Sequence, residues 1–229
     1  MSEVAFLFSG GVDSTAGTLR LLETFDRVHL LTFDIGHGVV FVEGSRTSAS
    51  RLLARFPGRV THQIEPARAD MDRLVRGRLL TLRRTYGSRF VWCLSCKAAM
   101  HAAQIRWCRA RDIEDAADGS SRDTPYYVEQ MPVSLEFFRA FYAKHGIRFH
   151  HPVHAFASRE EEIRLIDQAG LARGRTLLGR NPGTQPFCIG GNFVYAGSTV
   201  FKVHPAFDPV RVRRFLEDHE PVLDAIVRD

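Results

Sequence analysis

The chain has 229 residues, of which 45% are hydrophobic and 25% charged, a composition typical of an ordinary globular domain. No apolar run approaches the length of a membrane span, and Met1-Ser2-Glu3 lacks the basic start of a secretory signal, so we expect a cytoplasmic protein with no membrane partner. The net charge of +5 comes mostly from arginine, because the chain has only three lysines, and charge alone gives little weight to nucleic-acid binding.

Short apolar runs alternate with stretches of helical periodicity along most of the chain. Buried strands are predicted at residues 3–8, 27–35, 59–64, 113–117 and 147–156. Helices are predicted at residues 14–24, 45–56, 70–86, 95–110, 126–145 (kinked or divided at Pro132), 159–169 (capped by Ser158) and 209–227. This alternation predicts an α/β fold with a parallel sheet covered by helices on both faces. We expect a core domain at residues 1–169, with residues 170–229, an irregular loop and a closing helix, packed on it.

The segment Ser9-Gly10-Gly11-Val12-Asp13-Ser14 lies between the first predicted strand and the first predicted helix. Its glycines permit a tight turn and a close approach of ligand to backbone, and the free N–H groups at the start of the helix attract an anion. Ser9 and Ser14 add hydroxyl donors. A carboxylate beside a phosphate is repelled unless a cation joins them, so Asp13 points to Mg²⁺ bound between this side chain and the phosphates.

This hexapeptide resembles the SGGxDS loop of the PP-loop ATP pyrophosphatases, which holds the β,γ-pyrophosphate of ATP while the α-phosphate is attacked. The resemblance covers roughly residues 3–190 and implies a Rossmann-like α/β sandwich that binds ATP through residues Ser9, Gly10, Gly11, Val12, Asp13 and Ser14. It also implies adenosine contacts at Phe33 and Asp34, in a segment (residues 32–37) similar to that of 7-cyano-7-deazaguanine synthases.

The segment at residues 118–124 (DGSSRDT) stands where tRNA-thiolating members of this family carry a Gly-His-His-Arg-Asp-Asp type of motif. Gly119, Arg122 and Asp123 match, which implies ATP contacts at Gly119 and Arg122 and a catalytic role for Asp123. Both histidines of the motif are serines here and its last Asp is Thr124, so a role of those histidines does not carry over.

The cysteines form a Cys93-x-x-Cys96 pair at the start of a predicted helix, a distant Cys188, and Cys108, which we expect in the core. The first three resemble the set with which thiolases of the tRNA 2-thiocytidine synthetase type hold a [4Fe–4S] cluster, leaving one iron open to sulfide. Two alternatives stay open: a zinc site completed by a histidine or Cys108, and a cluster-free mechanism in which Cys188 or Cys96 carries a persulfide that the other resolves.

Other polar residues are weaker candidates. Lys97 is placed to neutralise charge developing on phosphate, although an exposed lysine would explain it equally. His150 and His151 fall on opposite faces of a predicted strand, so we do not expect one metal site to share them.

These features predict an ATP-dependent sulfur transferase that adenylates a carbonyl oxygen of a nucleobase-like substrate and replaces it with sulfur, releasing AMP and pyrophosphate. The substrate would be a free base, a nucleoside or tRNA, and the donor sulfide or a cysteine desulfurase persulfide. The predicted catalytic residues are Asp13, Lys97, Asp123 and Cys188.

One alternative is an amide- or nitrile-forming ligase of the 7-cyano-7-deazaguanine synthase type with a zinc site; another is a nucleotide-binding regulatory module without turnover. The oligomeric state is left open, with a homodimer as one option.

Overall fold

A five-stranded, all-parallel sheet forms the centre of the protein in the computed structural model, which describes residues 1–87, 90–122, 124–171, 185–195 and 204–229. Its strands are β1 Glu3–Leu7, β2 Arg27–Asp34, β4 Val60–Pro66, β5 Asp115–Ala117 and β6 Arg148–His150. Across the sheet they lie in the order β4-β2-β1-β5-β6. A separate antiparallel pair joins β3 Val39–Val40 to β7 Phe187–Cys188.

Helices connect the strands and cover both faces of the sheet. Their bounds are α1 Val12–Leu21, α2 Ser45–Arg55, α3 Arg68–Val75, α4 Leu79–Tyr86, α5 Val91–Arg109, α6 Pro132–Lys144, α7 Arg159–Gln168, α8 Ile189–Val194 and α9 Pro209–Arg228. The prediction of an α/β fold with a helix-covered parallel sheet is confirmed. Within the described ranges, no helix is long and apolar enough to span a membrane.

Successive side chains of the central strand β1 point to opposite faces of the sheet, so they contribute to two separate hydrophobic cores. Ala5 and Leu7 of β1 face a core formed with α3, α4, α5, α6 and α9. Val4 and Phe6 face the other core, formed with α1, α2 and α7. The sheet is therefore buried on both sides, and its carboxyl edge is where polar side chains can gather.

The chain direction makes one position on that edge special. From β1 the chain builds outward through β2 and β4, then crosses back to add β5 and β6 on the other side of β1. In open α/β sheets, ligands bind in the crevice outside the carboxyl ends of the strands at such a reversal. Here the crevice lies between the segments that follow β1 and β5.

Three predicted elements differ from the structure. The helix predicted over residues 70–86 is two helices, because Gly77 adopts a φ of +69° in the turn between α3 and α4. The strand predicted over residues 147–156 ends at His150, since Pro152 begins a short 3₁₀ helix. Helix α5 begins at Val91, about one turn before the predicted start near Ser95, so both cysteines lie within its first two turns.

Candidate functional site

The loop between β1 and α1 is shaped to receive an anion. Gly10 has a φ of +81°, and Gly11 at the N-cap of α1 offers no side chain to the N–H groups of the first turn. Those N–H groups therefore remain available to a ligand at the positive end of the helix dipole. The Ser9 and Ser14 hydroxyls lie 3.2 Å apart, and Ser48 donates to the Gly10 carbonyl at 2.7 Å, which fixes the turn from outside.

Asp13, in the first turn of α1, has a protein cation as its partner. Arg159, the first residue of α7, forms an ion pair with the Asp13 carboxylate. The same guanidinium lies 3.4 Å from Glu162, which is itself buried. Mg²⁺ at Asp13 stays a prediction, and in the structure the partner of this carboxylate is an arginine.

The segment after β5 closes the crevice from the opposite side. A Cβ added to Gly119 would lie 3.6 Å from the Ser14 nitrogen, so this glycine packs directly on the start of α1. The preceding residue, Asp118, is fully buried and pairs with Lys97 at 2.9 Å and with His151 at 3.0 Å. Lys97 thus lies at the crevice as one half of an ion pair with a buried carboxylate, and its catalytic role stays a prediction.

Charge and hydrogen bonds keep Asp118 ionised. Burial alone would raise the pKa of its carboxyl, but the Lys97 ammonium and the bond to His151 hold that pKa well below its usual value. The Ser120 hydroxyl and backbone N–H also bond to the carboxylate, at 2.7 and 3.1 Å. A buried carboxylate with several donors is an anchored group that positions its partners.

The histidines do not share one site, as the strand alternation predicted. His150 bonds to Asp115 at 2.7 Å, whereas His151 points to Asp118. The ring of His154 stacks on that of His151 with centroids 5.1 Å apart, and burial lowers the pKa of His154.

A short segment of the C-terminal region crosses the carboxyl edge and carries Cys188 to it. Strand β7 pairs with β3 so that Val39 opposes Cys188, and the Ile189 N–H donates to the Gly38 carbonyl at 2.9 Å. At its other end, the Gln185 side chain lies over the loop between β1 and α1, where a Cβ on Gly11 would come within 2.5 Å of its Oε1. One segment thus touches both the loop after β1 and the loop after β2.

Helix α5 brings the other two cysteines to the same place. Cys93 and Cys96 are part-buried in its first turns, and Gly190 of α8 packs so closely on Trp92 that an added Cβ would lie 2.6 Å from the indole nitrogen. Cys188 is the N-cap of α8, where its Sγ accepts a hydrogen bond from the Gly191 N–H at 3.1 Å.

Cys188 lies close enough to Cys93 and Cys96 to affect the ionisation of these two thiols. Burial, with Cys188 and Glu129 acting in the same direction, raises the pKa of Cys96 to about 12. The pKa of Cys93 is raised further, by burial and then by Glu129 and Cys188. Burial likewise raises the pKa of Glu129, whose carboxylate lies 3.4 Å from the Tyr195 hydroxyl. Burial therefore favours the neutral thiol forms of Cys93 and Cys96.

A metal site on Cys93, Cys96 and Cys188 stays a prediction. Among the residues that the structure describes, no three His, Cys, Asp or Glu side chains are arranged to hold a metal ion. Cys108 is fully buried in the core, as expected, and does not join the other three.

The remaining predicted residues that the structure describes lie around the same edge. Phe33 is buried at the end of β2, and Asp34 is exposed beyond it, where its carboxylate accepts from the Gly36 N–H at 2.9 Å. Val12 opens α1, and Arg122 is exposed in the segment after β5. Asp123 lies outside the described residues.

Several residues of the site had no assigned role in the sequence argument. Arg159 is 146 positions after Asp13 (159 minus 13), so no local pattern joins them. Glu129 lies in a short 3₁₀ helix, Val128–Gln130, and Gln185 lies just before β7, and no sequence motif marks either residue. Asp118 could have been found from its position directly after a predicted strand, since the strand ends of a parallel sheet meet at one edge.

Comparisons with known proteins agree with this fold. No family model matches the sequence, and no curated protein matches it significantly. One similar structure is a 4-thiouridine synthetase, solved as an RNA complex with bound ATP. The two structures align with a TM-score of 0.63 and 14% sequence identity, and the alignment covers 99% of this chain and 52% of the synthetase chain. This chain thus spans about half the length of that synthetase chain. A predicted tRNA methyltransferase subunit from Methanocaldococcus jannaschii aligns with a TM-score of 0.47 at 17% identity, over 73% of this chain and 76% of its own. At 14% identity, the likeness to the synthetase shows the fold alone: a parallel α/β sheet covered by helices on both faces.

Proposed function

We propose that the chain is an ATP-dependent thiotransferase that replaces a carbonyl oxygen of a nucleobase with sulfur. One observation carries the proposal: Cys188 is brought by the β3–β7 pairing to the same end of α5 as Cys93 and Cys96, beside the anion-binding loop. Sulfur chemistry and phosphate binding then share one crevice. The 4-thiouridine synthetase with a similar fold was solved in complex with RNA and ATP, which supports a nucleobase in tRNA as the substrate. A free base or a nucleoside is the alternative substrate.

The first step would activate the oxygen. The first-turn N–H groups of α1, with Ser9 and Ser14, hold the β- and γ-phosphates, while Phe33 and Asp34 border the adenosine. The substrate oxygen attacks the α-phosphorus, the bond to pyrophosphate breaks, and the oxygen becomes part of an AMP ester. Lys97, oriented by Asp118, offsets charge on the α-phosphate. Mg²⁺, when it accompanies ATP, neutralises phosphate charge.

The second step would deliver sulfur. A persulfide donor, such as a cysteine desulfurase, places a terminal sulfur on Cys188, whose Sγ accepts a hydrogen bond from the Gly191 N–H. That sulfur attacks the activated carbon, the C–O bond breaks, and AMP leaves. Cys96 then attacks the Sγ of Cys188, forming a disulfide and releasing the thiocarbonyl product, which takes the Cys96 proton. An external dithiol reductant restores the two thiols.

The alternative route to the same product uses a cofactor. Cys93, Cys96 and Cys188 are a donor set of the kind that a [4Fe–4S] cluster takes, and such a cluster would supply bound sulfide. Zinc on the same thiols would instead favour the amide- or nitrile-forming ligase. Anaerobic iron, sulfide and zinc analysis of the wild type beside Cys188→Ala distinguishes the cluster, the zinc site and the free thiols.

The experiment that tests the function supplies ATP, a sulfur donor and a reductant to the purified protein with free bases, nucleosides or unmodified tRNA. We expect AMP and pyrophosphate in equal amounts and a thionucleobase detected by mass spectrometry. Cys188→Ala should still form pyrophosphate but give no thionucleobase, whereas the control Cys108→Ala should keep both activities. Absence of AMP with every substrate and donor would refute the proposal.

A further inference from the structure

Two helices begin side by side at the phosphate loop. Helix α7 packs along α1, and both start at the carboxyl edge of the sheet, α1 after β1 and α7 after the segment that follows β6. The first residue of α7, Arg159, therefore reaches across to Asp13 in the first turn of α1. In the described part of the chain, Arg159 is the one cation ion-paired with the Ser9–Ser14 loop.

This contact matters because of the charge on Asp13. A carboxylate in the first turn of α1 lies beside the N–H groups that attract an anion, and it would repel a phosphate bound there. The guanidinium of Arg159 removes that repulsion. Its side chain remains 48% exposed at the mouth of the loop, so a ligand bound there can reach the guanidinium that contacts Asp13 and Glu162. Its fork of five donors can contact two acceptors at once.

We propose that Arg159 is a positioning residue for the departing pyrophosphate: with ATP bound, its guanidinium bridges Asp13 and the oxygens of the β- and γ-phosphates. This inference rests on the proposed function, in that it needs ATP in the Ser9–Ser14 loop. The guanidinium then serves the substrate and the pyrophosphate product but has no contact with the AMP portion. Its removal should weaken only ligands that carry the pyrophosphate group.

The test is equilibrium binding of ATP, inorganic pyrophosphate and AMP, each with Mg²⁺, to the wild type and three variants. Arg159→Gln should weaken ATP and pyrophosphate by about ten- to a hundredfold, the usual range for losing a charge-assisted hydrogen bond, and leave AMP within about twofold. Arg159→Lys keeps the charge without the fork, so its loss should be smaller and in the same direction. Arg164→Gln removes an exposed arginine from the same helix and should bind all three ligands like the wild type.

Other outcomes overturn the inference. Equal loss of ATP and AMP affinity in Arg159→Gln would show a general disturbance of the site. Recovery of full ATP affinity in the double variant Asp13→Asn, Arg159→Gln would show that Arg159 only cancels the charge of Asp13. If Arg159→Gln fails to fold, the selective loss must appear in Arg159→Lys. If the wild type binds no ATP, the proposed function is overturned as well. If the wild type and the Arg159 variants bind ATP with equal affinity, only this inference is overturned.

Discussion

The buried ion pair between Lys97 and Asp118 gives a stability prediction that can be worked through in detail. Lys97→Met keeps most of the aliphatic side chain but removes the ammonium 2.9 Å from a carboxylate that is fully buried. Removing one partner of a buried pair typically costs about 3–5 kcal/mol, because the other charge is left without compensation. Asp118 retains its bonds to Ser120 and His151, so we expect the lower end, about 3 kcal/mol.

The loss should depend on pH. The folded-state pKa of Asp118 lies below its unfolded value, so its stabilisation is complete above the unfolded pKa and is lost as pH falls through the folded pKa. Without Lys97, burial acts with less opposition and raises the pKa of Asp118, and the variant can then relieve its defect by binding a proton. The deficit of Lys97→Met should therefore be large at pH 7.5 and smaller at pH 4.5.

Urea unfolding of the wild type and the variant at these two pH values measures the difference. A deficit of about 3 kcal/mol in a chain of this size corresponds to a fall in Tm of about 6–12 °C. The double variant Lys97→Met, Asp118→Asn should recover part of the loss, because no charge is left buried. A deficit below about 1 kcal/mol at pH 7.5, or one that is the same at both pH values, would refute the reasoning.

Three further predictions concern packing and titration. Gly17→Ala would place a Cβ 2.7 Å from the Phe6 ring, so urea unfolding should show a loss of about 1–3 kcal/mol, and an unchanged midpoint would contradict this contact. Burial lowers the pKa of His62 to about 4, so the stability that depends on its neutral form is complete above pH 6.5 and is lost as pH falls towards 4. His62→Gln should lose less stability over that interval, and an equally steep fall would exclude His62 as its source. Cys108→Ala should lower the unfolding free energy by about 1–2 kcal/mol with thiolation unchanged, and reduced thiolation in folded protein would place Cys108 in the site.

The sequence was informative wherever the structure depends on neighbouring residues. The strand, glycine turn and helix around Gly10 and Gly11 form one contiguous unit, so its anion-binding shape follows from local rules. The opposite orientation of His150 and His151 likewise follows from the period of a strand. The alternation of strands and helices predicted the parallel sheet and its two covered faces for the same reason.

Contacts between residues that are far apart in the sequence could not be predicted from local patterns. The contact between Asp13 and Arg159 requires the packing of α7 against α1, which no periodicity reveals. The helix predicted over residues 70–86 has a continuous apolar periodicity, and only the positive φ of Gly77 breaks it. A glycine in a helical pattern is tolerated in many proteins, so its presence alone did not determine the break.

The β3–β7 pairing has a consequence for how this protein can change over evolution. The position of Cys188 is set by main-chain hydrogen bonds to residues 38–40, so neighbouring side chains can be exchanged without displacing the sulfur. Insertions and deletions are different, because a slip of one residue in a strand pair turns every side chain to the opposite face. Loss of a single residue between β2 and β3 would thus redirect the thiol away from α5. We expect the length of that short connection to tolerate far less variation than its composition.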